Sequence, residues 1–99
     1  MNVVSRHGLL EAIAGKSKDV QDEANKWFRI ARAADWPNFE AVRTMFPDAD
    51  LVDHLLVFNI RHNRYRLIVL PVFERRKLYI KALLTHKEYA KGAWKNQWP

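Results

Sequence analysis

The chain has 99 residues, with 17 lysines and arginines against 11 aspartates and glutamates, and no cysteine. That length suits one domain with a modest core, and the missing thiols exclude a disulfide framework, a thiolate metal site and a cysteine nucleophile. A hydrophobic share of 48% argues against disorder, and the net charge of +6 is unevenly placed: residues 1–53 carry seven basic and nine acidic side chains, residues 54–99 ten and two.

Asn2-Val-Val4 reads as a short strand and Arg6 to Ala14 as a short helix stopped by Gly15. Ala12-Ile-Ala14 mimics a signal-peptidase site, but Glu11 interrupts the apolar stretch before it, so no signal peptide is expected. The spacing of Val20, Ala24, Trp27, Phe28, Ala31 and Ala34 predicts a helix over Lys18 to Ala34. Its acids come early and its basic residues late, as the helix dipole favours. Trp36-Pro37 ends it, Asn38 caps a short helix from Phe39 to Met45, and Pro47 with its neighbouring aspartates makes a loop. Trp27, Phe28, Phe39 and Phe46 are expected in the core.

The second half changes character. Leu55 to Arg61, Arg64 to Phe73 and Lys77 to Leu84 are rich in β-branched and aromatic residues with short breaks between them, and read as an antiparallel meander. The run Leu67 to Phe73 is far too short to span a bilayer, which takes about 20 residues. A cytoplasmic protein with no membrane partner is expected. Pro71 cannot donate to a ladder, so its half of the strand is expected at an edge or a bulge.

A two-residue turn at His62-Asn63 places Asn59 opposite Arg66 and sets Asn59, Arg61, Arg64 and Arg66 on one sheet face. Phe58, Ile60, Tyr65 and Leu67 then share the other. A two-residue turn at Arg75-Arg76 adds Tyr79 and Lys81 to the arginine face and puts Arg66 opposite Thr85; a one-residue slip would reverse those faces. Like charges on neighbouring strands destabilise a sheet, so the cluster makes sense where phosphates neutralise it.

Thr85-His-Lys-Glu88 has capping-box spacing, which places His86, Lys87 and Tyr89 at a strand-to-helix junction. Trp94 and Trp98 suit a tail packed on the domain. There is no glycine-rich phosphate loop, no His-x-x-x-His pattern and no serine elbow. Nucleotide-dependent, metal-dependent and serine-hydrolase chemistry are therefore not expected, and neither a metal nor a cofactor is called for. Metal-free RNA cleavage fits what remains. The ribose 2′-OH attacks the adjacent phosphate, arginines neutralise the charge that develops, and a histidine moves protons.

The run Val57-Phe-Asn-Ile-Arg-His-Asn-Arg-Tyr-Arg-Leu-Ile-Val69, followed by Leu84-Thr-His-Lys-Glu-Tyr89, resembles the HigB-type toxins of the RelE superfamily. Ala34-Asp-Trp-Pro-Asn-Phe-Glu-Ala-Val42 and Phe46-Pro-Asp-Ala-Asp50 also look like that family. The resemblance implies a single α+β toxin domain over residues 1–99, with N-terminal helices packed on a small curved antiparallel sheet. It implies ribosome-dependent mRNA cleavage and a HigA-like helix-turn-helix antitoxin as partner, with mRNA and the ribosome as targets. Arg66 matches the superfamily's phosphate-contacting arginine, and His86 and Tyr89 match its C-terminal pair. The expected catalytic set is Arg66, His86 and Tyr89. Charge and geometry add Asn59, Arg61, Arg64, Lys81 and Lys87 as RNA-binding residues. ParE-like gyrase inhibition and a non-enzymatic basic RNA-binding module are the alternatives, because the fold alone does not set the activity.

Overall fold

The computed structural model describes residues 1–62 and 64–97. Asn63 and Trp98, named above in a turn and in the tail, lie outside the described residues. In chain order the elements are β1 (Asn2–Val4), α1 (Arg6–Ile13), α2 (Lys18–Ala33), α3 (Phe39–Met45), β2 (Asp50–Val52), β3 (Leu55–Ile60), β4 (Tyr65–Val72), β5 (Lys77–Thr85) and α4 (His86–Lys91). Single 3-10 turns follow β4 at Phe73–Arg75 and α4 at Ala93–Asn96.

The sheet runs in the order β1-β5-β4-β3-β2. It is α+β as expected but mixed rather than wholly antiparallel, because β1 pairs with β5 in parallel. A parallel partner cannot be joined by a tight hairpin, and here α1, α2, α3 and the other strands lie between the two in sequence. No helix among the described residues is long and apolar enough to cross a membrane.

Helix α2 buries Val20, Ala24, Trp27, Phe28 and Ala31 along one stripe. That stripe packs on Phe58, Ile60, Leu67, Val69 and Leu78 of the sheet, with Leu9 and Ile13 of α1 and Val42 of α3. An aromatic chain ties three elements together: Trp27 meets Phe58 edge-on at 5.2 Å, Phe58 meets Phe46 at 5.2 Å, and Phe46 meets Trp36 at 6.0 Å. Such pairs add about 0.5–1.5 kcal/mol each beyond the area they bury. Asn38 caps α3 by accepting the Ala41 N–H at 3.0 Å.

The opposite face of the sheet was expected to be polar. It holds a second, smaller apolar cluster of Leu55, Val57, Ile68 and Trp94, with Leu70, Ala82, Leu84 and Tyr89 against it. Helix α4 and the turn after it cover this face. Strand β4 is thus covered on both sides at its centre, where Leu67, Ile68 and Val69 are all buried.

Register follows the expected scheme between β3 and β4, where Asn59 lies opposite Arg66 and Ile60 opposite Tyr65. It departs from it between β4 and β5. The connection is four residues long, Phe73 to Arg76, with Val72 opposite Lys77. Arg76 takes a left-handed conformation there, at φ 55°. Tyr79 therefore pairs with Leu70 and still joins the Arg66 face. One extra residue, Lys81, then bulges between Ile80, opposite Val69, and Ala82, opposite Ile68. The bulge reverses the parity of the rest, so Arg66 faces Leu84 rather than Thr85. Pro71 lies in the part of β4 that β3 does not reach, where its missing N–H interrupts no ladder with that strand.

Candidate functional site

The junction between β5 and α4 is set by a reciprocal cap. Thr85 Oγ1 accepts the Glu88 N–H at 3.1 Å, and Glu88 Oε1 accepts the Thr85 N–H at 2.9 Å. The backbone N–H of Thr85, then its hydroxyl, holds the Glu88 carboxyl below its ordinary value; Lys16 and Lys91 add to this against a cost of burial. The cap starts α4 one residue after β5 ends, so His86 and Lys87 project from its first turn, both exposed. Gly92, at φ 76°, stops the helix and turns the chain so that Trp94 folds back. The Tyr89 carbonyl then accepts from both the Gly92 N–H at 3.1 Å and the Trp94 indole N–H at 3.0 Å.

Arg66 sits on β4 between Asn59 and Leu84. Its guanidinium carbon lies 5.0 Å from the centroid of the Tyr89 ring. The buried Trp94 ring stacks on the same phenol, 5.1 Å away and tilted by 19°. Tyr89 thus has two ring partners, the Arg66 guanidinium and the Trp94 indole. The stacked plane also limits the rotamers open to Arg66.

A sequence profile of the HigB toxin family, described as the RelE-like toxic component of a toxin–antitoxin system, matches residues 20–92. The chain belongs to the HigB toxin family. The mRNA interferase toxin HigB of Escherichia coli (strain K12) is 38% identical over 53 residues, half of this chain and 51% of that protein. The mRNA interferase HigB proteins of Escherichia coli O157:H7 and Shigella flexneri match over the same share, also at 38% identity. The chain thus spans about half the length of the curated relatives it matches.

In this HigB-family chain the β3–β4 turn does not carry its arginines as the alternation of the strands suggests. Strand β3 ends at Ile60, and Arg61 and His62 take left-handed conformations at φ 53° and 60°. Arg61 leaves the Arg66 face and turns to α2, where its Nε lies 3.0 Å from Asp19 Oδ2 and its Nη1 3.9 Å from Glu23 Oε1. The exposed Arg64 closes the turn, its N–H donating to the Arg61 carbonyl at 3.1 Å, and its charge also acts on Asp19. The Arg64 carbonyl accepts the His86 N–H at 3.1 Å, which joins this turn to the start of α4. Arg64, Arg66, His86 and Tyr89 thus gather at one end of the sheet.

The other expected residues are spread more widely. Asn59 is directly opposite Arg66 and also borders a cleft with Glu23, Phe46 and Arg61. Lys81 rides on the bulge with its ammonium 5.7 Å from the Tyr79 ring. About three strand residues separate it from the level of Arg66, which is about 10 Å along the sheet. Two further residues join the site without having been singled out for it. Trp94 supports Tyr89. Lys16, from the loop between α1 and α2, brings its ammonium to 5.4 Å from the Tyr65 ring, beside Arg64 and opposite Thr85. Gln21 holds that loop by donating to the Lys16 carbonyl at 2.9 Å. The Thr85–Glu88 spacing located the cap from sequence, but nothing local links Lys16 to a strand almost fifty residues away.

Proposed function

We propose that this chain is the toxin of a type II toxin–antitoxin system and acts as an mRNA endoribonuclease during translation. The observation that carries this reading is the meeting of Arg66 with Tyr89, three residues beyond His86 on the same short helix, in a chain of the HigB family. The curated relatives are named mRNA interferases.

In the proposed reaction the ribose 2′-oxygen attacks the adjacent phosphorus and the bond to the 5′-oxygen breaks. The 2′-proton leaves to a base and the departing oxygen gains a proton, giving a 2′,3′-cyclic phosphate and a 5′-OH end. Arg66 stabilises charge on the phosphate, held in place by the Tyr89 ring. His86, exposed at the start of α4, moves a proton. Tyr89 contributes its hydroxyl. Arg64, Lys81 and Lys87 bind RNA by charge, Asn59 borders that surface, and no metal takes part. The proposed partners are a HigA-like helix-turn-helix antitoxin and the translating ribosome, in the cytoplasm.

The test is tightly controlled expression in bacteria with mapping of new mRNA 5′ ends. Ends within reading frames that carry 5′-OH and vanish in His86→Ala and Arg66→Ala support the reading. Growth arrest with intact transcripts replaces it with a gyrase-type toxin.

A further inference from the structure

Glu23 lies on α2, in the acidic half of the chain and outside the proposed catalytic set, yet a continuous series of contacts connects it to His86. Its Oε2 accepts the backbone N–H of Arg61 at 2.7 Å. Arg61 and His62 both occupy the left-handed region, which residues with side chains rarely adopt. A carboxylate on the Arg61 N–H, with the side chain of the same arginine drawn to Asp19 and Glu23, favours that conformation over an extended one. The turn so fixed presents two carbonyls. That of Arg61 accepts the Arg64 N–H, and that of Arg64 accepts the His86 N–H, each at 3.1 Å. The first N–H groups of a helix have no partner within it. In α4 the Glu88 N–H goes to Thr85 and the His86 N–H to Arg64, so the place of the first helical residue is set from the turn.

We infer that Glu23 is a positioning residue for His86, acting through the Arg61–Arg64 turn. Arg61 belongs to this clasp and takes no phosphate: its charge faces two carboxylates that keep the turn folded. The part of the inference that concerns cleavage rests on the nuclease reading above; the linkage from Glu23 to His86 does not.

The experiment measures two things on the full chain, wild type against Glu23→Ala and Glu23→Gln. The first is amide hydrogen exchange at the His86 N–H, compared with the N–H of Leu78, buried in β5. The second is the rate and half-saturation of mRNA cleavage in a reconstituted translation mixture. Glu23→Ala is expected to speed exchange at His86 about tenfold with little change at Leu78. Its saturated cleavage rate falls by a similar factor at unchanged half-saturation. Glutamine keeps a carbonyl acceptor for Arg61 and restores most of both. Unchanged exchange at His86 in the alanine variant overturns the inference, as does an equal rise at His86 and Leu78, which marks a loss of stability alone. If the wild-type chain cuts no mRNA, the nuclease reading falls while the exchange result still decides the linkage.

Discussion

The guanidinium of Arg66 and the ring of Tyr89 are in face contact, 5.0 Å from carbon to centroid, and Trp94 stacks on the same phenol. The phenol therefore lies against the arginine on a ring that Trp94 backs. Tyr89→Phe keeps the stack and loses the hydroxyl, so cleavage is expected to fall about 2–10-fold, the worth of one hydrogen bond. Tyr89→Ala also frees Arg66 and is expected to cost clearly more. Rates for both variants, measured on the same translated mRNA, check this; equal losses would place the whole effect in the hydroxyl and none in the stack with Arg66.

Trp94 is 2% exposed and anchors the second apolar cluster. Trp94→Ala removes a large buried ring and is expected to destabilise the fold by about 3–5 kcal/mol. Trp94→Phe keeps a stacking plane but loses the N–H bond to the Tyr89 carbonyl, and is expected to cost less than half of that. Urea unfolding with a common slope gives both values. An alanine variant as stable as wild type would show that α4 and its turn do not depend on this side chain.

Much of this was legible in the residues. The stripe of Val20, Ala24, Trp27, Phe28 and Ala31 gave α2, and the Thr-x-x-Glu spacing gave the α4 cap. The Asn59–Arg66 pairing followed from the break between two strand-like runs. Strand β2 carries no local signal, because Asp50–Val52 is three residues long and begins with an aspartate. It exists through its pairing with β3, which no local pattern reports. The bulge at Lys81 is hidden in the sequence for a different reason. With α4 and Trp94 covering the second face, apolar residues occur on both sides of β4 and β5, and alternation no longer marks a face. Strand alternation would set Arg61 beside Arg66, but the strand ends one residue earlier, at Ile60. The acidic partners of Arg61 lie about forty residues earlier, on α2.

Lys16 extends the basic end of the sheet to the helix side, over the ring of Tyr65. If RNA passes around this end, Lys16→Ala weakens binding of a non-cleavable 2′-O-methyl oligonucleotide. The slope of log affinity against log salt is then expected to become shallower by about 0.7, the value for one phosphate contact on a single strand. Lys16→Arg restores it. Fluorescence anisotropy across a salt series reads both quantities. An unchanged slope would assign the lysine to packing on Tyr65 alone.

Asp19, which pairs with Arg61, gives the fold a pH-dependent contribution. Its carboxyl is kept below its ordinary value of 3.8, first by the Ser17 hydroxyl, then by the Val20 N–H and the charges of Arg61 and Arg64, against a cost of burial. A carboxyl whose value is lowered on folding stabilises the folded state above its unfolded value, and that contribution disappears as the pH falls through the lowered one. Asp19→Asn should therefore be less stable than wild type at neutral pH, with the difference constant down to about pH 5. The gap should narrow below 3.8 and close once the folded carboxyl is protonated. Urea midpoints of the two proteins from pH 7 to pH 2 test the sign. A gap that widens on acidification would mean that the charge of Asp19 opposes folding.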